Sequence, residues 1–341
     1  MLKIVVGLSL VIAAALSALM IPVTEWARTT DTSLLAFEVF EKNVDRQIYI
    51  ADPAHRISVS LTRNSEDHAS SPTWSADHKL AYVSEALNGD SAIYVFDLKE
   101  NRLVNITRDT GEVTRQPSWS PDGRQLAFTA WRGASTSDIY VADLASSQIV
   151  AVTNTPEDDY QPVWLSNSEL VFVSDMQGKP QQVYLLNLAD FSLQHISNND
   201  DLNRFPVVAR SQRLVAYTTV KPTDQTNMSL NVWDEQSHKT VKVMSGRLIA
   251  GFDWSVEGNL ALSFYQNGHF QIYVWDRRQG AIRRVTNSRV DNAFPTWSVD
   301  GKIAFQSNFI RKPRITIVDP LTLAVQEFYS TYRSEFPEWS K

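Results

Sequence analysis

The sequence predicts an all-β fold, a seven-bladed β-propeller of four-stranded blades set behind an N-terminal apolar segment. Three observations predict it. A Pro-x-Trp-Ser phrase recurs at the length of one propeller blade, a third-strand phrase ending in Asp or Asn recurs in step with it, and the strands at the two chain ends complete each other.

At the N-terminus, Lys3 precedes an uncharged apolar run from Ile4 to Val23. At 1.5 Å per helical residue such a run reaches about 30 Å, the thickness of a bilayer's hydrocarbon core. The small residues Ala13, Ala14, Ala15 and Ala18 leave cleavage after Ala15 or Ala18 open as well. Residues 1–23 therefore read as a signal anchor or a signal peptide, and Lys3 on the cytoplasmic side sends the rest outward. Residues 24–33 read as a linker and 34–341 as the propeller.

The repeat is anchored at Trp74, Trp119, Trp164, Val208, Trp254, Trp297 and Trp339, spaced 42 to 46 residues apart. Full phrases stand at Pro72-Thr73-Trp74-Ser75, Pro117-Ser118-Trp119-Ser120 and Pro295-Thr296-Trp297-Ser298. Turns such as Pro121-Asp122-Gly123 follow, because Gly accepts a positive φ without a Cβ clash. Second strands read Leu80-Ala81-Tyr82 or Leu126-Ala127-Phe128, and third strands read Ile93-Tyr94-Val95-Phe96-Asp97 or Ile139-Tyr140-Val141-Ala142-Asp143. Short runs of β-branched and aromatic residues favour strands. The third strands end at Asp52, Asp97, Asp143, Asn187, Asp234, Asp276 and Asp319, an independent sevenfold count.

The chain ends fix how the ring closes. Leu35-Ala36-Phe37 and Ile48-Tyr49-Ile50-Ala51-Asp52 are second and third strands with no inner strand before them. Pro337 to Ser340 is an inner strand with no blade after it. Joined, they make the seventh blade and remove an exposed sheet edge.

The run Pro117-Ser118-Trp119-Ser120-Pro121-Asp122-Gly123, with Leu126-Ala127-Phe128 and Asp138-Ile139-Tyr140-Val141-Ala142-Asp143-Leu144, resembles the repeat of TolB-like propellers. The resemblance covers residues 34–340. It implies an extracytoplasmic protein of the periplasm or cell envelope that docks a protein or peptide at one face or in its channel. Related repeats also form propellers attached to serine peptidases, and others form oligogalacturonate lyases. The family's namesake has six blades, whereas seven repeats are counted here.

Composition narrows the function classes. A net charge of −6 argues against a nucleic-acid partner, which needs a basic surface. The absence of Cys removes disulfides, thiolate ligands and a thiol nucleophile. The six His residues (55, 68, 78, 195, 238 and 269) scatter over several blades rather than converging as a metal site requires. No Gly-x-Ser-x-Gly elbow is present, and Ser75, Ser120, Ser255, Ser298 and Ser340 occupy a repeat position. No catalytic residue, metal ligand or cofactor is therefore assigned.

The Trp anchors read as packing between blades, and the third-strand Asp ring as turn caps. A candidate partner-binding set stands apart from these. Asp67, Glu112, Glu157 and Asp201 each lie seven residues before an anchor, and Asp291 lies one residue nearer its own. Glu66, Asp158, Asp159 and Asp200 add charge to the same face, while Arg115 and Arg204 lie four residues before their anchors. Together they form an acidic rim for a basic peptide or a cation, with two guanidiniums able to clamp a carboxylate. Solvated loop charge with local turns is the plainer alternative. Three functions fit: a membrane-tethered or exported propeller that binds a protein or peptide, an oligosaccharide lyase using the channel, and an extracytoplasmic sensor with a separate signalling partner.

Overall fold

The computed structural model describes residues 33–340 apart from 41–45, 64, 66, 108–112, 132–135, 309–312 and 329–332. The apolar segment 1–23 lies outside the described residues, as does nearly all of the linker. Seven four-stranded antiparallel sheets form the seven blades expected. Blades 1 to 6 span His68–Asn105, Val113–Ala151, Asp159–His195, Leu202–Gly246, Ile249–Arg284 and Asn292–Phe328. The seventh has the strand order Arg333–Trp339, Leu35–Phe40, Arg46–Asp52, Ile57–Ser60, so both chain ends share it as the sequence predicts.

A blade packs between two others, so its second and third strands are buried on both faces. This is why Leu80 to Val83 read as an unbroken apolar run and are all buried. The apolar residues divide into seven clusters, one at each interface between blades. Each Trp anchor lies in the cluster shared with the preceding blade. Four of them also cross that interface with the indole N–H. Trp74 donates to the Glu338 carbonyl, Trp119 to Thr73, Trp164 to Ser118 and Trp254 to Val207, at 3.1 to 3.2 Å. Each acceptor precedes the anchor of the neighbouring blade. A buried Tyr or Trp usually finds such a partner, and here the partner fixes the rotation of one blade against the next.

The polar repeat residues cap turns. The Asp97 carboxylate accepts from the Lys99 and Glu100 N–H groups, and Asp52, Asp143, Asp234, Asp276 and Asp319 repeat the pattern. Asn187 does the same with one bond, to Ala189. The Ser after the anchor closes the hairpin to the second strand. Ser75 N–H donates to the Lys79 carbonyl and Lys79 N–H donates to Ser75 Oγ, at 2.9 and 2.8 Å. At the closure the same clasp forms between the chain ends. Ser340 N–H donates to the Leu34 carbonyl and Leu34 N–H donates to Ser340 Oγ, both at 2.8 Å.

The closing pair also carries an electrostatic load. Glu38 stands opposite Glu335 in the register between Leu35–Phe40 and Arg333–Trp339, and both are buried. Like charges directly across a strand pair repel. Burial pushes the Glu38 carboxyl up to about 6. The Ser71 N–H and Arg46 oppose that rise, and Glu335 adds to it.

Two outcomes follow from the closure. Removing Pro337 to Lys341 deletes buried Trp339 and the Ser340 clasp, and thermal unfolding should show a large loss of stability. Losing the packing of Trp339 alone costs about 3–5 kcal/mol. Glu38 has a raised pKa in the folded state, so its favourable contribution is full below about 4.5 and lost as pH rises through about 6. Glu38→Gln should therefore match the wild type near pH 4 and exceed it by about 2 kcal/mol near pH 8, measured by urea unfolding at both pH values.

Candidate functional site

The inner strands do not run straight to the channel. In blades 1 to 6 the pairing of the inner with the second strand slips two residues before the anchor phrase ends, as between Arg115 and Ser118 or Arg204 and Val207. In each blade the residue three before the anchor has a positive φ. These are Ser71, Gln116, Gln161, Phe205, Gly251, Phe294 and Phe336, and all but Gly251 precede a Pro. A positive φ is uncommon for residues other than Gly and a rare exception for bulky ones, and Pro disfavours it further. Such conformations persist where the surroundings over-determine them.

What holds three of them is visible. The N–H that leaves the strand ladder is taken up by a side chain of the preceding blade. Ser71 N–H donates to Glu38 Oε1, Gln161 N–H to Gln116 Oε1 and Phe205 N–H to Gln161 Oε1, at 2.9 to 3.0 Å. At Gly251 the need is steric as well as conformational. With φ at +82°, an added Cβ would lie 2.9 Å from Phe294 Cα, so Gly251 is what lets blade 6 approach. Phe294 then packs edge-on against Phe336, with ring centroids 4.8 Å apart.

Six of these seven residues line a central cavity of about 690 Å³, a volume in the range of ligand sites. One side of the mouth carries the amides Gln116 and Gln161, and the other the rings Phe205, Phe294 and Phe336. Phe205 is 51% and Phe336 38% exposed, an unusual outlay of aromatic surface. Past the anchors, exposed Arg210 reaches across from blade 4. Its guanidinium donates to the Trp164 carbonyl at 3.2 Å and to the Trp119 carbonyl at 3.0 Å. Asp253 lines the same depth and accepts from Thr296 Oγ1 and the Trp297 N–H. The cavity thus joins an apolar and amide lining to the exposed guanidinium of Arg210 and the carboxylate of Asp253.

The described rim carboxylates stand at the entries to blades 1, 3, 4 and 6, with Asp67 at blade 1, Glu157, Asp158 and Asp159 at blade 3, Asp200 and Asp201 at blade 4 and Asp291 at blade 6. Glu112 lies outside the described residues, as does Glu66. Asp67 Oδ2 accepts from Ser84 Oγ, Asp291 Oδ1 accepts from the Phe270 N–H, and Asp158 Oδ1 accepts from Ser137. Buried Asp159, pushed up to about 6 by burial, accepts from Thr155. Glu157 and Asp201 are partly exposed, and the backbone carbonyl of each takes a side-chain hydrogen bond from within the protein. Arg115 lies 3.7 Å from Glu85, and Arg204 donates to Gln181. Each of these Arg residues precedes a residue of the channel mouth, Gln116 or Phe205.

Among the described residues no three His, Asp or Glu side chains are grouped to hold a metal ion. His195 stacks on Tyr184 at 4.2 Å, and burial lowers its pKa. His269 Nδ1 lies 3.6 Å from Asp291. The channel lining was missed in the sequence because nothing in Gln-Pro or Phe-Pro announces a positive φ. The retrievable signal was the fixed offset of three residues before each anchor.

A family model described as the TolB beta propeller domain matches residues 35–248. The chain belongs to that family. No curated sequence matches it significantly. TolB from Acinetobacter baumannii superposes with a TM-score of 0.57 at 20% identity, covering 90% of this chain and 66% of TolB, just under two thirds. An oligogalacturonate lyase from Vibrio parahaemolyticus gives 0.65 at 12% identity, covering 85% of this chain and 91% of the lyase. A further oligogalacturonate lyase, in complex with manganese, gives 0.63 at 16% identity, with 86% and 83% covered. At these identities the likeness is one of fold.

Gly251→Ala should destabilise the protein by about 1–3 kcal/mol, because it adds a strained φ and a contact with the Phe294 backbone. Urea unfolding measures the loss, and a variant as stable as the wild type would contradict this packing.

Proposed function

We propose that the protein is an extracytoplasmic binding propeller, tethered by its N-terminal segment or exported, that captures a protein or peptide segment at the channel mouth. The observation that carries this reading is the mouth itself, with exposed Phe205 and Phe336 facing Gln116 and Gln161 across one cavity. Aromatic rings supply apolar contact at low entropic cost, and amides can pair with a peptide backbone. Arg210, exposed beside the same cavity, offers a cation to a carboxylate. The acidic residues around the same face favour a basic segment leading into the mouth. The apolar run from Ile4 to Val23 and membership of the TolB propeller family support the extracytoplasmic placement.

The oligosaccharide lyase remains the competing reading, favoured by the fold shared with two such enzymes. Affinity capture from envelope extract separates the two, with a glycan-turnover panel run in parallel. A specific partner should be captured by the wild type and lost with Phe205→Ala plus Phe336→Ala. Neutralising Asp67, Glu112, Glu157 and Asp201 together should weaken capture and flatten its salt dependence. Turnover of a glycan with no specific capture would overturn the binding reading.

A further inference from the structure

A second cavity, of about 520 Å³, opens on the top face between blades 3 and 4, away from the channel. Its origin lies in a break in the repeat. The second residue of the third-strand phrase is Tyr49, Tyr94, Tyr140, Tyr184 and Tyr273 in five blades, and Thr316 in blade 6. In four of these the Tyr ring stacks on the second-strand ring opposite it, at 5.8 to 6.0 Å. These ring pairs face the preceding blade, as Phe128 and Tyr140 do in packing against Ala81 and Val83. In blade 4 the position is Asn231, opposite Tyr217, so the second ring is missing.

The position two residues before the Tyr varies from blade to blade, with Ala92 in blade 1 and Asp138 in blade 2. Gln182 and Gln271 stand two residues before the strand's end-facing pair in blades 3 and 5, where their Oε1 atoms accept from Ser197 and Thr286. Blade 4 has Ser229 there. At this interface the Tyr ring of five blades is thus replaced by a smaller amide, and the space it would fill is lined instead by hydroxyls and amides.

The floor of the cavity is uncharged and organised. Asn231 Nδ2 donates to Thr219 Oγ1 at 2.7 Å, and Thr219 Oγ1 donates to Asn203 Oδ1 at 2.7 Å. Asn203, fully buried, also donates to Gln182 and Asn199. Ser197 and Ser229 add hydroxyls, and Ile196, Tyr217 and Met228 add apolar surface. Charge is confined to the rim, where Lys221 and Lys242 are exposed and Asp201 stands with them. A polar cavity of this size holds water, and a ligand that reproduces those water hydrogen bonds can replace it.

We infer that this cavity is a binding site for a neutral sugar unit. A pyranose presents adjacent hydroxyls that pair with amide and hydroxyl groups, and a C–H face that suits a small apolar patch. An uncharged floor with fixed donors and acceptors matches a neutral polyhydroxylated ring better than an ionic ligand, whose charge would be left unpaired there. The site is separate from the channel cavity and shares with the acidic rim only Asp201.

The test uses the purified full-length protein and isothermal titration calorimetry with cellobiose and N,N′-diacetylchitobiose, and with glucuronate as the charged comparison. At least one neutral disaccharide should bind. Asn231→Tyr introduces the residue that five other blades carry and fills the cavity, so it should weaken that binding by about tenfold or more while thermal unfolding stays cooperative. Thr219→Val keeps the volume but removes the hydroxyl that links Asn231 to Asn203, and should weaken binding without filling the site. Phe205→Ala plus Phe336→Ala should leave sugar binding unchanged. The inference is overturned if neither neutral sugar binds, if glucuronate alone binds, or if binding survives both Asn231→Tyr and Thr219→Val.

Discussion

Everything in the ring depends on one non-covalent pairing, that of Arg333–Trp339 with Leu35–Phe40. Six blades are continuous in the chain, and their packing would be served by an open arc. The packing of blade on blade sets the curvature, and this pairing locks the two ends into one sheet with the means used inside each blade. Ser340 and Leu34 reproduce the clasp of Ser75 and Lys79, and Trp339 fills the interface with blade 6 as other anchors fill theirs. The site shares this dependence. Phe336 belongs to the closing strand, so one ring of the edge-on pair with Phe294 stands on the element that closes the ring.

The same strand pair holds Glu38 against Glu335, and that repulsion needs a physical account. Glu38 Oε1 accepts the Ser71 N–H, which the bulge has taken out of its ladder, and Oε2 lies 3.9 Å from Arg46. The carboxylate therefore solves a backbone problem at the channel mouth that Gln116 and Gln161 solve elsewhere with amides. An amide would accept the same N–H without the charge. The cost of burying Glu38 is thus tied to satisfying a strained residue beside the channel, not to the closure alone.

Much of the fold was legible because repeats average out local ambiguity. One Trp-Ser phrase is weak, but seven anchors and seven third-strand Asp or Asn residues in step fix blade length, count and closure. The site was less legible for three reasons. A positive φ at Phe205 or Gln116 is imposed by the neighbouring blade, so no local propensity records it. Arg210 contacts carbonyls 46 and 91 residues away, a reach that no spacing within a repeat encodes. Carboxylates counted by position also hide their tasks, since Asp291 caps the Phe270 N–H and Asp67 holds Ser84. A charge committed to such a bond is less available to a partner than its place on the face suggests.

Blade 4 shows what a closed ring allows. It has Val208 where six blades have Trp, so the anchor position sends no indole toward blade 3. Trp233 from its third strand enters that interface instead, and Arg210 ties blade 4 to the Trp164 and Trp119 carbonyls. In a stacked repeat protein each unit depends on its nearest neighbours, so a weak unit in an open stack invites fraying. In a closed ring that unit is held from both sides, and its loss would break the whole circuit. The closure at Trp339 therefore does more than protect an edge. It permits one blade to abandon the repeat's Trp and Tyr, and the space released there is the cavity over Asn231.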